Sequence, residues 1–184
     1  MRAKNSKEDW IKAAFDVLSE QGMHAVCVEK IARNLDVTKG GFYGYFINRD
    51  ALLQAMLDYW ETTLTERTIA LVRKVDGNLH KQLTQLIAHV ETHVDESVDR
   101  AMTSWSFKDQ RARAVVNRVV RNRIDFIKGL FLNEGFSERQ AELRARMVHG
   151  FVHGDRHYPD TCEAKGSAER KKMLQGFIDF VCKS

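Results

Sequence analysis

Apolar residues return every three or four positions through nearly the whole of this 184-residue chain, which holds a single proline, Pro159. That spacing is the mark of amphipathic helices, each burying one stripe of side chains. A sheet protein needs turn residues at every hairpin, and one proline with 11 glycines is too few to supply them. The expected fold class is therefore all-α. With 43% hydrophobic and 29% charged residues, the composition is that of a globular chain rather than a disordered one. No apolar run approaches the ~20 residues of a membrane span, so no membrane partner is expected. Met1-Arg2-Ala3-Lys4-Asn5-Ser6 leads into charged residues instead of a signal-peptide core, and a cytoplasmic location follows as the expectation. Cys27, Cys162 and Cys182 form no Cys-x-x-Cys pair, which argues against a disulfide framework or a zinc ribbon.

Start and stop signals divide the periodic stretch. Ser6 is placed to cap a first helix, with Asp9 as its reciprocal partner and Gly22 as its stop. Val28, Ile31, Ala32 and Leu35 mark a short second helix, which Asp36 breaks. Thr38 is placed to cap a third, holding Phe42, Tyr45 and Phe46, and Asn48 to cap a long fourth reaching about Val75. Asp76-Gly77-Asn78 is a turn signal before a fifth helix from Leu79 to Val90. The stretch from Asp95 to Phe107 reads as less regular. Asp109 is placed to start a long helix through Phe131. Ser137 with Gln140 makes a capping box for the next, which must end before Pro159, and Ser167 opens the last. About nine helices result, with no convincing strand.

Val28 to Phe46 has the spacing of a helix-turn-helix: two short helices, a tight Asp36-Val37 turn, and apolar residues placed to lock the helices at a steep angle. Spacing alone leaves open any pair of short helices joined by a turn. The run Ile31-Ala32-Arg33-Asn34-Leu35-Asp36-Val37-Thr38-Lys39-Gly40-Gly41-Phe42-Tyr43-Gly44-Tyr45-Phe46 resembles the N-terminal DNA-binding domain of the TetR family of bacterial transcriptional regulators. Trp10-Ile11-Lys12-Ala13-Ala14-Phe15 resembles that domain's first helix, and Asn48-Arg49-Asp50-Ala51-Leu52-Leu53 the start of its fourth. The resemblance covers about the first quarter of the chain. It implies a three-helix DNA-binding domain over residues 1–48 and a larger helical domain for effector binding and dimerisation over residues 49–184. Three positions depart from the family's pattern. Cys27 stands where threonine usually caps the second helix, Gly44 where histidine is frequent, and Asp36 where the turn usually has glycine; aspartate tolerates a left-handed backbone, so the turn survives.

Placed at about 100° per residue, Phe42 and Phe46 face inward, leaving Gly40, Gly41, Tyr43 and Gly44 outward with Thr38 and Lys39 at the leading end. Three glycines let a backbone approach DNA closely but offer no side chain to base edges. The helix start near Thr38 suits a phosphate. By resemblance, Thr38 and Lys39 are candidate groove contacts and Tyr43 and Arg49 candidate phosphate contacts; Lys30 and Arg33 point away from the apolar face of the second helix. The expectation is sparse base readout, with specificity leaning on dimer spacing and DNA shape. Net charge is +4 overall, but the first fifty residues hold eight Lys and Arg against seven acids, so basicity is not concentrated there. Locally, Thr38 to Arg49 contains no acid, and Arg2, Lys4 and Lys7 form a basic arm.

The resemblance implies a homodimer on a double-stranded, palindromic DNA operator, held through the last two helices, here about Glu138–His157 and Ala168–Cys182. It also implies a repressor released by a small-molecule effector of unknown identity, with no cofactor. Trp60, His89, His93, Met102, Trp105 and Phe107 are the candidate lining of an effector pocket; the competing reading is ordinary core. Arg100, Arg111, Arg113, Arg118, Arg121 and Arg123 form a basic run that reads as a solvated face or as the counter-charge of an anionic effector. A metal-responsive regulator is the alternative, since His149, His153 and His157, and likewise His89 and His93, recur every four residues. A helical adaptor that binds no DNA comes third. Enzyme readings fail. His89-Val90-Glu91-Thr92-His93 is not His-Glu-x-x-His, Gly40-Gly41-Phe42-Tyr43-Gly44 has the wrong spacing for a dinucleotide loop, and no nucleophile elbow or Walker loop is present.

Overall fold

A computed structural model describes residues 5–154 and 167–183. Arg2, Lys4, Asp155, His157, Pro159 and Cys162 lie outside the described residues. Within them every regular element is helical: α1 (Lys7–Gln21), a 3-10 turn (Met23–Ala25), α2 (Val28–Asn34), α3 (Lys39–Phe42), α4 (Arg49–Tyr59), a π-helical stretch (Trp60–Glu66), α5 (Arg67–Arg73), α6 (Leu79–His93), α7 (Glu96–Ser106), α8 (Gln110–Asn133), α9 (Glu138–Gly154) and α10 (Ala168–Cys182).

The helix starts fall where short polar side chains can satisfy the first backbone N–H groups. Ser6 accepts from the Asp9 amide at 3.2 Å while the Asp9 carboxylate accepts from the Ser6 amide at 2.7 Å. Asn48 accepts from Ala51 N at 2.8 Å, and Asn78 from Lys81 N at 3.1 Å. Asp109 takes the amides of Arg111 and Ala112 at 2.8 and 3.2 Å, and Ser137 with Gln140 closes the capping box before α9. Ser167 accepts from Arg170 N at 3.1 Å.

Three elements differ from the sequence expectation, the shortest being α3, which ends at Phe42 and leaves Tyr45 and Phe46 beyond its end. Asp95 to Phe107 is not irregular: Asp95 accepts from Ser97 N at 2.8 Å, and Val98, Met102 and Trp105 then follow at helical spacing into the core as α7. One narrow apolar stripe among Ser, Thr and Asp hid a strongly amphipathic helix. The long fourth helix is helical from Arg49 to Arg73, but it widens to π geometry over Trp60–Glu66. Thr62, Thr63 and Thr65 crowd that stretch. The Thr62 hydroxyl donates to Asp58 O at 2.7 Å, and in α5 Thr68 does the same to Leu64 O at 3.1 Å, competition that loosens a helical ladder.

The chain forms two compact units. The first takes in the residues up to Thr63 together with Asp95–Val116, and the second Leu64–Val94 together with the residues from Asn117 onward. In the first, α1 packs on α2, α4 and α7, burying Trp10, Ala14, Phe15, Val17 and Leu18 among Ile31, Phe42, Leu52, Met56 and Met102. In the second, Leu83, Ile87 and Val90 of α6 meet Ile127 and Phe131 of α8, Ala145 and Val148 of α9, and Ile178 and Val181 of α10. Each of the Val, Leu, Ile, Phe and Met side chains among these contributes roughly 1.5–3 kcal/mol of burial, which is what fixes helices whose caps contribute about 1 kcal/mol each.

Candidate nucleic-acid interface

The first unit presents α2 and α3 as a rigid pair. α2 ends in a left-handed turn: Asp36 has φ 54°, Asp36 N donates to Arg33 O at 3.1 Å, and Val37 N donates to Ala32 O at 2.9 Å. Those two bonds satisfy carbonyls that a helix end would leave open, and they reverse the chain within two residues. α3 is a single turn, so it carries little helix dipole, and packing holds it instead. Phe42 is fully buried, edge-on to Trp10 at 5.5 Å and stacked on Phe46 at 5.2 Å. Tyr45 donates its hydroxyl proton to Asn5 O, and Asn5 Nδ2 donates to Leu35 O at 3.5 Å, so the start of the described chain is tied to the back of the pair.

The sequence-derived residues lie as follows. Arg33, Thr38, Lys39, Gly40, Gly41, Tyr43, Gly44 and Arg49 are exposed, and Lys30 is half-buried. Thr38 is the N-cap of α3 by its extended backbone, and its hydroxyl makes no capping bond; Cys27 does the same for α2. None of Gly40, Gly41 and Gly44 has a left-handed φ, and a Cβ built on each meets its nearest neighbour at 3.7, 3.8 and 3.5 Å, ordinary contact. The backbone does not require glycine at any of the three.

Two of the cations are engaged locally. Lys39 pairs with the Glu29 carboxylate across the α2–α3 cleft, and Lys30 donates to the Gln21 side chain. The bond from Lys39 holds the Glu29 carboxyl below its ordinary range, and the same bond raises the Lys39 ammonium. Arg49 is placed differently from a phosphate clamp: Nε donates to Val26 O at 2.6 Å and Nη2 to Met23 O at 3.2 Å, fixing the turn that leads into α2. Glu29, Gln21 and Asn5 were not singled out by sequence. Their side chains matter only through neighbours that chain spacing does not reveal.

The candidate effector residues do not gather into one described cavity. Trp60, Met102 and Trp105 are buried in the first unit, where Trp60 Nε1 donates to the buried Asp99 carboxylate at 2.8 Å. Phe107 is 72% exposed, because it stands one residue past α7 and off the Val98–Met102–Trp105 stripe. His89 and His93 belong to α6 of the second unit, with rings stacked at 4.6 Å; burial and then the neighbouring His93 lower the His89 pKa. In that unit a groove of about 480 Å³ runs along α6 and α10, with Ile87, Ala88, Leu174 and Ile178 on its walls and Arg170 and Lys171 beside them. The arginine run makes local bonds. Arg113 donates to Ser106 O and Phe107 O at 3.1 Å each, Arg111 pairs with Asp109 and Asp50, and Arg123 donates to Thr65 at 3.1 Å. His149 and His153 lie 4.5 Å apart, and among the described residues no three ligand-type side chains gather to hold a metal. No described helix is long and apolar enough to cross a membrane.

Comparison with known proteins agrees with this geometry. The family model for bacterial regulatory proteins of the tetR family matches residues 11–56, which span α1 to α4. An uncharacterized HTH-type transcriptional regulator of Bacillus subtilis, YuxN, is 32% identical over 88 residues, 46% of this chain and 30% of that protein, so under a third of the relative's length is spanned. The crystal structure of a TetR transcriptional regulator from Legionella pneumophila superposes over 100% of both chains with a TM-score of 0.74 at 16% identity. That of AibR in complex with isovaleryl coenzyme A and operator DNA covers 95% of this chain and 96% of its own, with a TM-score of 0.70 at 16% identity.

Proposed function

We propose that the chain, whose residues 11–56 match the model for bacterial regulatory proteins of the tetR family, is a cytoplasmic repressor of that family that occupies a palindromic DNA operator as a homodimer and leaves it when a small molecule binds. The observation that carries the reading is the α2–Asp36–α3 pair, locked from behind by Trp10 and Phe42 while its polar face stays open. Residues 1–48 serve DNA and residues 49–184 serve effector and partner. Thr38, Lys39 and the glycine face of Gly40, Gly41 and Gly44 enter the major groove. Tyr43, Lys30 and Arg33 meet the backbone, and Arg49 keeps the entry to α2 in place.

A second copy supplies the other half of the operator. Leu143 on α9 and Phe180 on α10 are 59% and 62% exposed, and Phe151 and Phe177 of the same helices stack at 4.0 Å, apolar surface suited to a two-fold four-helix contact. Sedimentation of Leu143→Glu/Phe180→Glu is expected to return a monomer where the native chain is a dimer; an unchanged dimer overturns this assignment.

The effector enters the second unit, and the groove along α6 and α10, walled by Ile87, Ala88, Leu174 and Ile178, suits an apolar chain whose anionic end meets Lys171, since Arg170 is already paired with Glu91. AibR, with its acyl coenzyme A, supports trying that ligand class first. Effector uptake shifts the population toward a dimer whose two α3 helices no longer match half-sites one DNA turn or a small multiple apart. Selection from random duplexes, followed by titration with isovaleryl coenzyme A and longer acyl homologues, tests the reading. An enriched inverted repeat supports it, and sequence-blind binding overturns it. Weakening of operator binding by one acyl length supports the effector class, and no response to any of them removes it. The metal-responsive alternative is not favoured.

A further inference from the structure

The α2–α3 cleft holds an acid as well as cations. A cavity of about 520 Å³ on the DNA-facing side is lined by Glu29, Ala32, Arg33, Asp36, Val37, Thr38 and Lys39. Across it the Glu29 carboxylate grips the Lys39 ammonium, the cation at the leading end of α3, and the two side chains remain 57% and 53% exposed. Lys39 has three donors, so it brings its charge uncancelled to a phosphate or a base edge only by letting go of Glu29. An exposed pair of this kind opens readily, so the lysine is held without being trapped. Once it has left, the carboxylate stands in the cleft facing DNA, where it repels phosphate oxygens. In the major groove its one good partner is an amino donor such as cytosine N4.

We propose that Glu29 sets the discrimination of the reading surface, by competing with DNA for Lys39 and by opposing every duplex that does not offer its carboxylate a donor. This rests on the DNA-binding reading. A basic surface with no such competitor would hold any duplex through phosphate contacts alone. Here the net gain from Lys39 depends on what Glu29 finds after the release, and that differs between sequences. Sequence spacing gives no hint of this, because Glu29 and Lys39 lie ten positions apart on different helices.

The test uses the full chain with its selected operator and a scrambled duplex of equal length, read by fluorescence anisotropy over a range of salt. Glu29→Gln keeps the shape and removes the charge, and unchanged melting serves as the folding control. The variant is expected to bind the scrambled duplex about three- to tenfold more tightly, with a salt dependence steeper by up to about one counterion, and to bind the operator with less gain, so that the specificity ratio shrinks. In a Lys39→Gln background the same change is expected to give little gain, since the competition is gone. Scrambled-duplex affinity and ratio equal to those of the native chain overturn the proposal. So does an equal gain with and without Lys39, which would mark a general charge effect. Failure of the native chain to bind either duplex at low salt is the distinct result that removes the DNA-binding reading itself.

Discussion

Arg170 is the most buried charge described in the second unit, and replacing its partner gives a sharp test of how that unit is held together. The guanidinium, 4% exposed, donates from Nη2 to Glu91 Oε1 at 2.9 Å, and Glu91 is itself only 12% exposed. It also lies 5.9 Å from the Phe151 ring centroid, so one side chain joins α6, α9 and α10. At 2.9 Å the gross attraction is about 6 kcal/mol for an effective dielectric of about 20, most of it offset by the desolvation of both ions. The pair as a whole therefore adds little, but removing one partner leaves a buried cation less well compensated. Glu91→Gln is expected to lower the unfolding free energy by about 3 kcal/mol, or about 6–12 °C in melting temperature for a chain of this size. Glu91→Leu with Arg170→Met keeps the volume and removes both charges, and it is expected to lie within about 1 kcal/mol of the native chain. Urea unfolding followed by circular dichroism on the native chain, both single changes and the double change closes the cycle. A Glu91→Gln chain within about 0.5 kcal/mol of native refutes the reasoning, as does a double variant worse than the sum of the singles.

Other expectations follow from local geometry. Burial pushes the Asp109 carboxyl up, but the Ala112 and Arg111 amides and the Arg111 guanidinium outweigh it and hold the group below its ordinary value. Its contribution to α8 is thus complete above the unfolded carboxylate range and fades as pH falls through the lower folded value. Asp109→Ala is expected to cost about 1 kcal/mol at neutral pH, while Asp109→Asn keeps a cap and loses that acid-side dependence, both read by urea unfolding from pH 6 to 2. Asp36 sits at φ 54°, so Asp36→Gly should raise stability by roughly 0.5–1 kcal/mol and Asp36→Val lower it by about 1–2 kcal/mol in the same assay. Gly40→Ala places its methyl 3.7 Å from the Thr38 hydroxyl without strain, so the chain should melt no lower than native. Operator affinity should nevertheless fall about tenfold if the bare backbone meets DNA, and unchanged affinity would take Gly40 out of the interface.

What the sequence made legible were the features that act within a few residues. Ser6 with Asp9, Asn48, Asp109, Ser137 with Gln140, and Ser167 all mark helix starts, because a capping bond reaches only two or three positions along the chain. Asp36 as a left-handed stop follows from the same local logic. α7 escaped because its apolar stripe is a single line, and the π stretch because helical periodicity does not report a widened turn. In the interface, exposure of Thr38, Lys39, Tyr43 and the glycines could be read from α3's phase. The partners could not: Glu29 on Lys39, and Val26 and Met23 on Arg49, are set by how α2, α3 and α4 cross. Phe107 shows the converse error, a large aromatic residue expected inside that stands one step beyond its helix.

Hydroxyl-radical footprinting of the full chain on its selected operator bears most directly on the central claim, that two copies each set one α2–α3 pair into DNA. Two protected stretches on one face of the duplex, with centres about 10–10.5 base pairs or a small multiple apart, are the predicted result. A single protected stretch, or protection spread evenly along the duplex at every salt concentration, contradicts it.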